Sequence, residues 1–246
     1  MLQVNKIHKA INNQKILHDI SFEVGAEIVC FIGPNGCGKS TLLKIIANLE
    51  KACSGTIDLQ GKKHEELQAG FLFQNHQEAL FPWKTIRKNI EFGLETHMKD
   101  RYLRQQRLNE IIGQLNLEPH QHKYSYELSG GLSQLTNLGK ILALEPDVLL
   151  LDEPFSALDY KTSIEFQKQF LDVWEKIKLP TIIVTHSIDE AILMADKIVI
   201  FSNAPTQIVK ILDNTIPRPR QMEQLGEFRF QDLRKQILNQ AKGFLL

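Results

Sequence analysis

The nine residues GPNGCGKST, Gly33 to Thr41, follow directly on the apolar run EIVCFI and lead directly into STLLKIIANL, which reads as an apolar helix. A glycine-rich loop in that setting leaves few folds open. It needs a strand that ends inside a sheet and a helix that starts at once. Consecutive N–H groups of such a loop curl round phosphate oxygens, and the helix N-terminus adds positive dipole. Lys39 then reaches the outer phosphates, and the Ser40 hydroxyl can ligand Mg²⁺. The pattern predicts a phosphate cradle made of Gly33, Pro34, Asn35, Gly36, Cys37, Gly38, Lys39, Ser40 and Thr41. Cys37 is read as a small filler of that loop rather than a redox switch.

Four further apolar runs, GFLFQ from Gly70, DVLLLDE from Asp147, TIIVTH from Thr181 and KIVIFS from Lys197, have the length and branched content of strands buried on both faces. Helical stretches lie between them. In KTSIEFQKQFLDVWEKIK, Ile164, Phe166, Phe170, Val173, Trp174 and Ile177 mark one apolar side. Strand alternating with helix predicts an α/β fold with a mainly parallel sheet. Ile16 to Val24 alternates in part and Gly25 turns into the next strand, which predicts an antiparallel β patch near the N-terminus. From Gln77 to Ala143 the pattern is mainly helical and reads as an insertion between two core strands.

Lys+Arg and Asp+Glu both number 29, so no global field draws the chain to nucleic acid or anionic lipid, and no nucleic-acid partner is expected. Cys30, Cys37 and Cys53 form neither a CxxC pair nor a disulfide framework, which fits a reducing cytoplasm. The start MLQVNKIHKAINN has no charged-then-apolar signal pattern, and no apolar run approaches the roughly 18 residues of a membrane span. The expectation is a chain neither secreted nor membrane-spanning by itself.

A second nucleotide motif, VLLLDE, Val148 to Glu153, places Asp152 113 residues after Lys39. A buried strand there delivers Asp152 to the Mg²⁺ shell, while Glu153 can take a proton from attacking water. A third stretch, LSGGLSQ, puts Ser129, Gly130 and Gly131 ahead of a helix. An N-cap accounts for the serine. Two glycines leave main-chain N–H groups bare for something outside the local structure.

In this order, GPNGCGKST, LSGGLSQ, LLLDEP and TH, the chain resembles an ATP-binding cassette (ABC) ATPase domain over essentially its whole length. The resemblance implies a P-loop NTPase (RecA-like) core with an N-terminal antiparallel β subdomain and an inserted α-helical subdomain. It divides one domain into a nucleotide-binding core over about 1–76 and 144–202, a helical subdomain over about 77–143, and a tail over 203–246. It implies that Ser129, Gly130 and Gly131, with Gln134 and Asp159, meet ATP held by a second copy, giving a homodimer in the ATP state. SALD, Ser156 to Asp159, corresponds to the loop lining that interface. Gln74 and His186 correspond to residues near the Mg²⁺, the attacking water and the γ-phosphate. The implied catalytic set is Glu153, His186, Gln74 and Lys39, with Ser40, Gln74 and Asp152 on Mg²⁺.

Departures from the family pattern bear on rate. Ile11 stands where relatives have an aromatic residue on adenine, Leu135 stands where a basic residue is common, Lys140 where an arginine is, and Gly139 interrupts good helix formers. These leave an alternative open, a regulatory or weakly hydrolytic ABC module. A coiled-coil repair cassette does not fit into 113 residues, and a translation-associated cassette usually carries two phosphate loops where this chain has one. LFPWKTIRKNIEFGLE and IPRPRQMEQLGEFRFQDLRKQIL resemble importer ATPases of the nitrate, sulfonate and taurine group, which also serves thiamine precursors. That likeness implies integral membrane permease subunits as partners, contacted through Leu80, Phe81 and Trp83, and indirectly a solute-binding protein. It implies a peripheral place on the cytoplasmic face of the inner membrane. Arg218 and Arg220 read equally as part of this motif or as solvated charges on a Pro-stiffened linker.

Overall fold

The computed structural model describes residues 1–73 and 79–241. In chain order the strands and helices are β1 (Leu2–Ile11), β2 (Gln14–Val24), β3 (Ile28–Ile32), α1 (Lys39–Ile46), β4 (Ser54–Leu59), β5 (Lys62–Lys63) and β6 (Ala69–Leu72). There follow α2 (Ile86–Glu95), α3 (Arg101–Gln114), α4 (Gly130–Leu142), β7 (Val148–Asp152), α5 (Tyr160–Ile177) and β8 (Thr181–Val184). The last are α6 (Ile188–Met194), β9 (Lys197–Phe201), β10 (Ile208–Asp213) and α7 (Phe228–Gln240). Two compact units result, Met1–Ala69 with Leu179–Leu246, and Gly70–Lys178.

In the first unit β3 is the central strand, and all five of its residues are buried. It pairs in parallel with β8, Ile28 opposite Thr181 through Phe31 opposite Val184, and with β9, Val29 opposite Lys197 through Ile32 opposite Ile200. Strand β10 closes that side antiparallel to β9. A second sheet, in the order β2-β1-β4-β5, is antiparallel throughout. Its β1–β2 hairpin turns on Asn12 and Asn13, both at positive φ (48° and 63°), the two-residue turn whose twist suits antiparallel strands. The rings of Phe22, Phe31 and Phe201 meet edge to face at centroid distances of 5.2 and 5.0 Å and join the two sheets. Cys30 lies fully buried in β3, and burial pushes its thiol up, away from reactivity.

In the second unit β6 and β7 are neighbours. Four residues of β7 are buried, whereas β6 alternates, one face half-exposed. On α5 the buried side is Ser163, Phe166, Gln167, Phe170, Val173 and Trp174, with Ile164 and Ile177 half-buried at its margins. Helix α4 crosses α2 closely enough to explain its glycine. A Cβ at Gly139 would stand 2.9 Å from Ile90 Cδ1 and 2.9 Å from Leu115 Cδ1. Leucine there gains about 0.8 kcal/mol of helix propensity but overpacks the crossing at about 1–3 kcal/mol. Gly139→Leu should therefore lower the urea midpoint with an unchanged m-value, and a raised midpoint would show that the crossing has room.

Candidate functional site

The phosphate loop leaves β3 at Gly33 and enters α1 at Lys39. Gly38 has φ 107°, and a Cβ on it would lie 2.8 Å from Ile16 Cγ2 and 3.0 Å from Leu17 Cδ2, so no side chain fits there. Lys39 is buried and folds back across the loop. Its Nζ donates to the carbonyls of Gly33 (2.9 Å) and Pro34 (2.8 Å) and lies 3.8 Å from Cys37 Sγ. The ammonium thus sits among carbonyl dipoles inside the ring of glycines, where an arriving phosphate would meet it. Asn35 and Gly36 are exposed at the tip, Cys37 is buried as a filler, and Ser40 and Thr41 occupy the first turn of α1.

Thr206 was invisible to motif reasoning. Its hydroxyl donates to the Cys37 carbonyl, its N–H donates to Ile16 O (2.8 Å), and its carbonyl accepts from His18 N (2.9 Å). One residue therefore ties the loop to β2. No local pattern announces it, since its partners come from strand pairing.

His186 follows β8 as the phosphate loop follows β3. The two strands are parallel neighbours, and Thr185 N donates to Phe31 O at 3.2 Å, so the loop and the histidine leave the same carboxyl edge of the sheet. That edge is where open α/β sheets bind ligands. His186 is exposed. Thr185, buried beneath it, donates its hydroxyl to the Glu190 carboxylate and accepts from Ser187 N (3.0 Å). The Ser187 hydroxyl caps α6 by accepting from Glu190 N at 3.3 Å.

In the second unit Asp152 ends β7 and is half-buried. Glu153 follows at φ 48°, a left-handed conformation that a non-glycine residue adopts at a cost and that clusters at functional sites. Its carbonyl accepts from Ser156 N (3.3 Å) and Ser156 Oγ (3.0 Å), closing the turn. Ser129 caps α4, its hydroxyl 3.4 Å from Leu132 N. Gly131 has a reason inside the chain as well. A Cβ there would meet Thr162 Cγ2 at 2.7 Å. Asp159 is exposed but engaged as the N-cap of α5, accepting from Thr162 N (3.1 Å) and Thr162 Oγ1 (2.6 Å), and these bonds hold its carboxyl below the usual range.

Two expectations need correction. Gln134, expected to face a second copy's ATP, is fully buried and donates through Nε2 to Pro154 O (2.9 Å), so it braces the residue after Glu153. Leu80, expected to face a permease, is buried as well. Its neighbours divide the work. Phe81 is half-buried, 4.8 Å from Phe92 and under Lys140 Nζ at 4.3 Å, while Trp83 is 70% exposed. Asn89, buried and missed by sequence reasoning, stiffens this turn. Its Oδ1 accepts from Phe81 N (2.9 Å), and its Nδ2 donates to Phe81 O, Lys84 O and Thr85 O at 3.1 to 3.3 Å.

Lys140 also donates to Ala79 O (2.8 Å), and Leu135 is buried, so both departures from the family pattern have packing duties. Burial, then the nearby Lys84, draws the Lys140 pKa down. Ile11 ends β1 and is 45% exposed. Gln74 lies outside the described residues.

Ser40 in the first unit and Asp152 in the second each carry a hard oxygen, the donor type that Mg²⁺ takes, and among the described residues no group of three or more His, Cys, Asp or Glu is placed to hold a metal by itself. Mg²⁺ is usually bound that way, through one or two protein oxygens with substrate phosphates supplying others.

The ABC transporter family model matches residues 17–156. An aliphatic sulfonates import ATP-binding protein from Bacillus cereus is 39% identical over 97% of this chain and 95% of its own length. A nitrate import ATP-binding protein from Synechococcus elongatus is 38% identical over 91% of this chain, which spans 35% of that protein. Among solved structures, a dimeric post-hydrolysis state of an ATP-binding cassette bound to ADP and Pi superposes with a TM-score of 0.69 at 25% identity, covering 85% of this chain and 99% of that one.

Proposed function

Because the chain belongs to the ABC transporter ATPases, we propose that it is the ATP-hydrolysing subunit of an importer for a small organic or inorganic solute, of the kind named for its sulfonate and nitrate relatives. The observation that carries this reading is Lys39 folded into the glycine loop at the carboxyl edge of the sheet, with His186 presented from the adjacent strand. Backbone N–H groups of Gly33 to Thr41 and the α1 N-terminus hold the phosphates of ATP, and Lys39 exchanges loop carbonyls for phosphate oxygens. Ser40 and Asp152 would hold Mg²⁺, which when bound neutralises charge on the phosphates. Glu153 accepts the proton of the attacking water, and His186 is the residue assigned to the γ-phosphate. A second copy contributes Ser129, Gly130, Gly131 and Asp159 to each site, so that ATP closes the homodimer and hydrolysis reopens it. A dimeric cassette among the structural relatives supports that assembly.

Among the described residues no helix is long and apolar enough to cross a membrane. The likeness to import ATP-binding proteins supports integral membrane permease subunits as partners, with the chain seated peripherally on them at the cytoplasmic face. Trp83 is the exposed aromatic on a turn stiffened by Asn89, the kind of residue that dominates interface energy. Trp83→Ala should cost about 2 kcal/mol or more of that interaction and release the chain from permease-containing membranes, with ATP affinity unchanged. Co-sedimentation with such membranes measures it, and undiminished binding would remove Trp83 from the interface.

A further inference from the structure

The two arginines of the IPRPR tail turn inward, which overturns their reading as solvated charges on a linker. Arg220 has a side chain 2% exposed. Its Nη1 donates to Ala195 O (2.6 Å) and Ile192 O (3.4 Å), its Nε to Ile216 O (2.8 Å), and its Nη2 to Asn214 O (3.5 Å). Arg218 donates through Nη2 to Met194 O (2.7 Å), and through Nη2 and Nε to Asp196 Oδ1 (2.8 and 3.1 Å). Asn214 Nδ2 adds bonds to Ile192 O (2.7 Å) and Ala195 O (2.9 Å).

These acceptors share a place. Ile192, Met194 and Ala195 are the last-turn carbonyls of α6, groups that a helix cannot satisfy by itself. Helix α6 has seven residues, too few to persist without tertiary support. Its other end begins at the Ser187 cap, one residue after His186. Asp196 anchors the clamp to the sheet, since its Oδ2 accepts from Ile28 N (2.9 Å) at the foot of β3. Helix α7 adds an ion pair to the first turn, Arg234 Nη1 to Asp189 Oδ1 at 3.3 Å. A guanidinium suits this duty because its fixed fork of donors spans several carbonyls at once. Burial, with Arg218 beside it, pushes the Arg220 pKa down to about 10, which leaves it cationic at neutral pH.

We propose that Arg220, with Arg218 and Asn214, is a positioning residue for hydrolysis: the tail clamps the carboxyl end of α6 and so fixes the backbone that presents His186. The inference rests on the assignment of His186 to the γ-phosphate.

The test is a double-mutant cycle on the full chain, with single-turnover ATP hydrolysis and ATP affinity measured separately. Arg220→Met should lower the hydrolysis rate roughly tenfold by displacing His186, with ATP affinity held within about twofold and part of the rate recovered in Arg220→Lys. In a His186→Ala background the same change should cost less than about twofold, because the group it positions is gone. A full tenfold loss in that background, or a loss of ATP affinity as large as the loss of rate, would overturn the inference alone. Full hydrolysis by His186→Ala would overturn the His186 assignment and this inference with it. If Arg220→Met does not fold, the cycle is run with Arg218→Gln and judged by the same criteria.

Discussion

Glu153→Gln should bind ATP, fail to turn it over, and elute as a dimer when ATP and Mg²⁺ are present. The substitution keeps the size of the side chain and leaves untouched the turn formed by the Glu153 carbonyl with Ser156. What it removes is the carboxylate that takes a proton from water, a contribution worth about 10²- to 10⁴-fold in rate. With hydrolysis blocked, each ATP remains as a ligand that only the closed pair of copies holds fully, and mass action favours that pair. ADP should leave the variant monomeric. Size-exclusion chromatography with a parallel turnover assay decides the matter. Wild-type turnover would remove Glu153 as the base, and a monomer despite measured ATP binding would count against closure by Ser129, Gly130 and Gly131 of a second copy.

Lys39→Ala should act one step earlier, on binding itself. The ammonium that now bonds Gly33 O and Pro34 O is the charge available to the outer phosphates. A hydrogen bond to a charged group is worth about 1.5–3 kcal/mol, so ATP affinity should fall roughly 10- to 150-fold. The loss should be larger for ATP than for ADP, which lacks the outermost phosphate. Titration calorimetry at fixed Mg²⁺ measures both. Unchanged ATP affinity would contradict the role given to the loop, whatever happened to the rate.

The parts of this site that sequence made legible are those whose chemistry is local. A lysine six positions from Gly33, and an acid pair closing VLLLDE, state their geometry within a few residues. Thr206 could not be found that way, because it reaches Cys37 across 169 positions through the pairing of strands. Arg220 failed for a different reason. Proline and arginine in alternation have the composition of a solvated linker, and only the carbonyls of α6, more than twenty residues earlier, give that guanidinium a reason to be buried. The same limit misplaced Leu80 and Gln134. An apolar or amide side chain beside a motif points inward or outward according to what lies against it in the fold, as the Pro154 carbonyl does for Gln134. The Asn12-Asn13 hairpin, by contrast, was written in its dipeptide and could have been read.

The pairing of β3 with strands from the far end of the chain also sets a timetable. Cys30 lies opposite Ile198, so the strand that feeds the phosphate loop finds one neighbour only after 168 further residues have been made. At about 5–20 residues per second, that is roughly 8–34 s during which Gly33 to Thr41 exists on the ribosome without its sheet. Thr206, which fastens the loop, arrives later still. A nascent chain therefore carries the phosphate-loop sequence before the strand and the Thr206 bond that fix its form, and the loop is fully fastened only once residue 206 has been made.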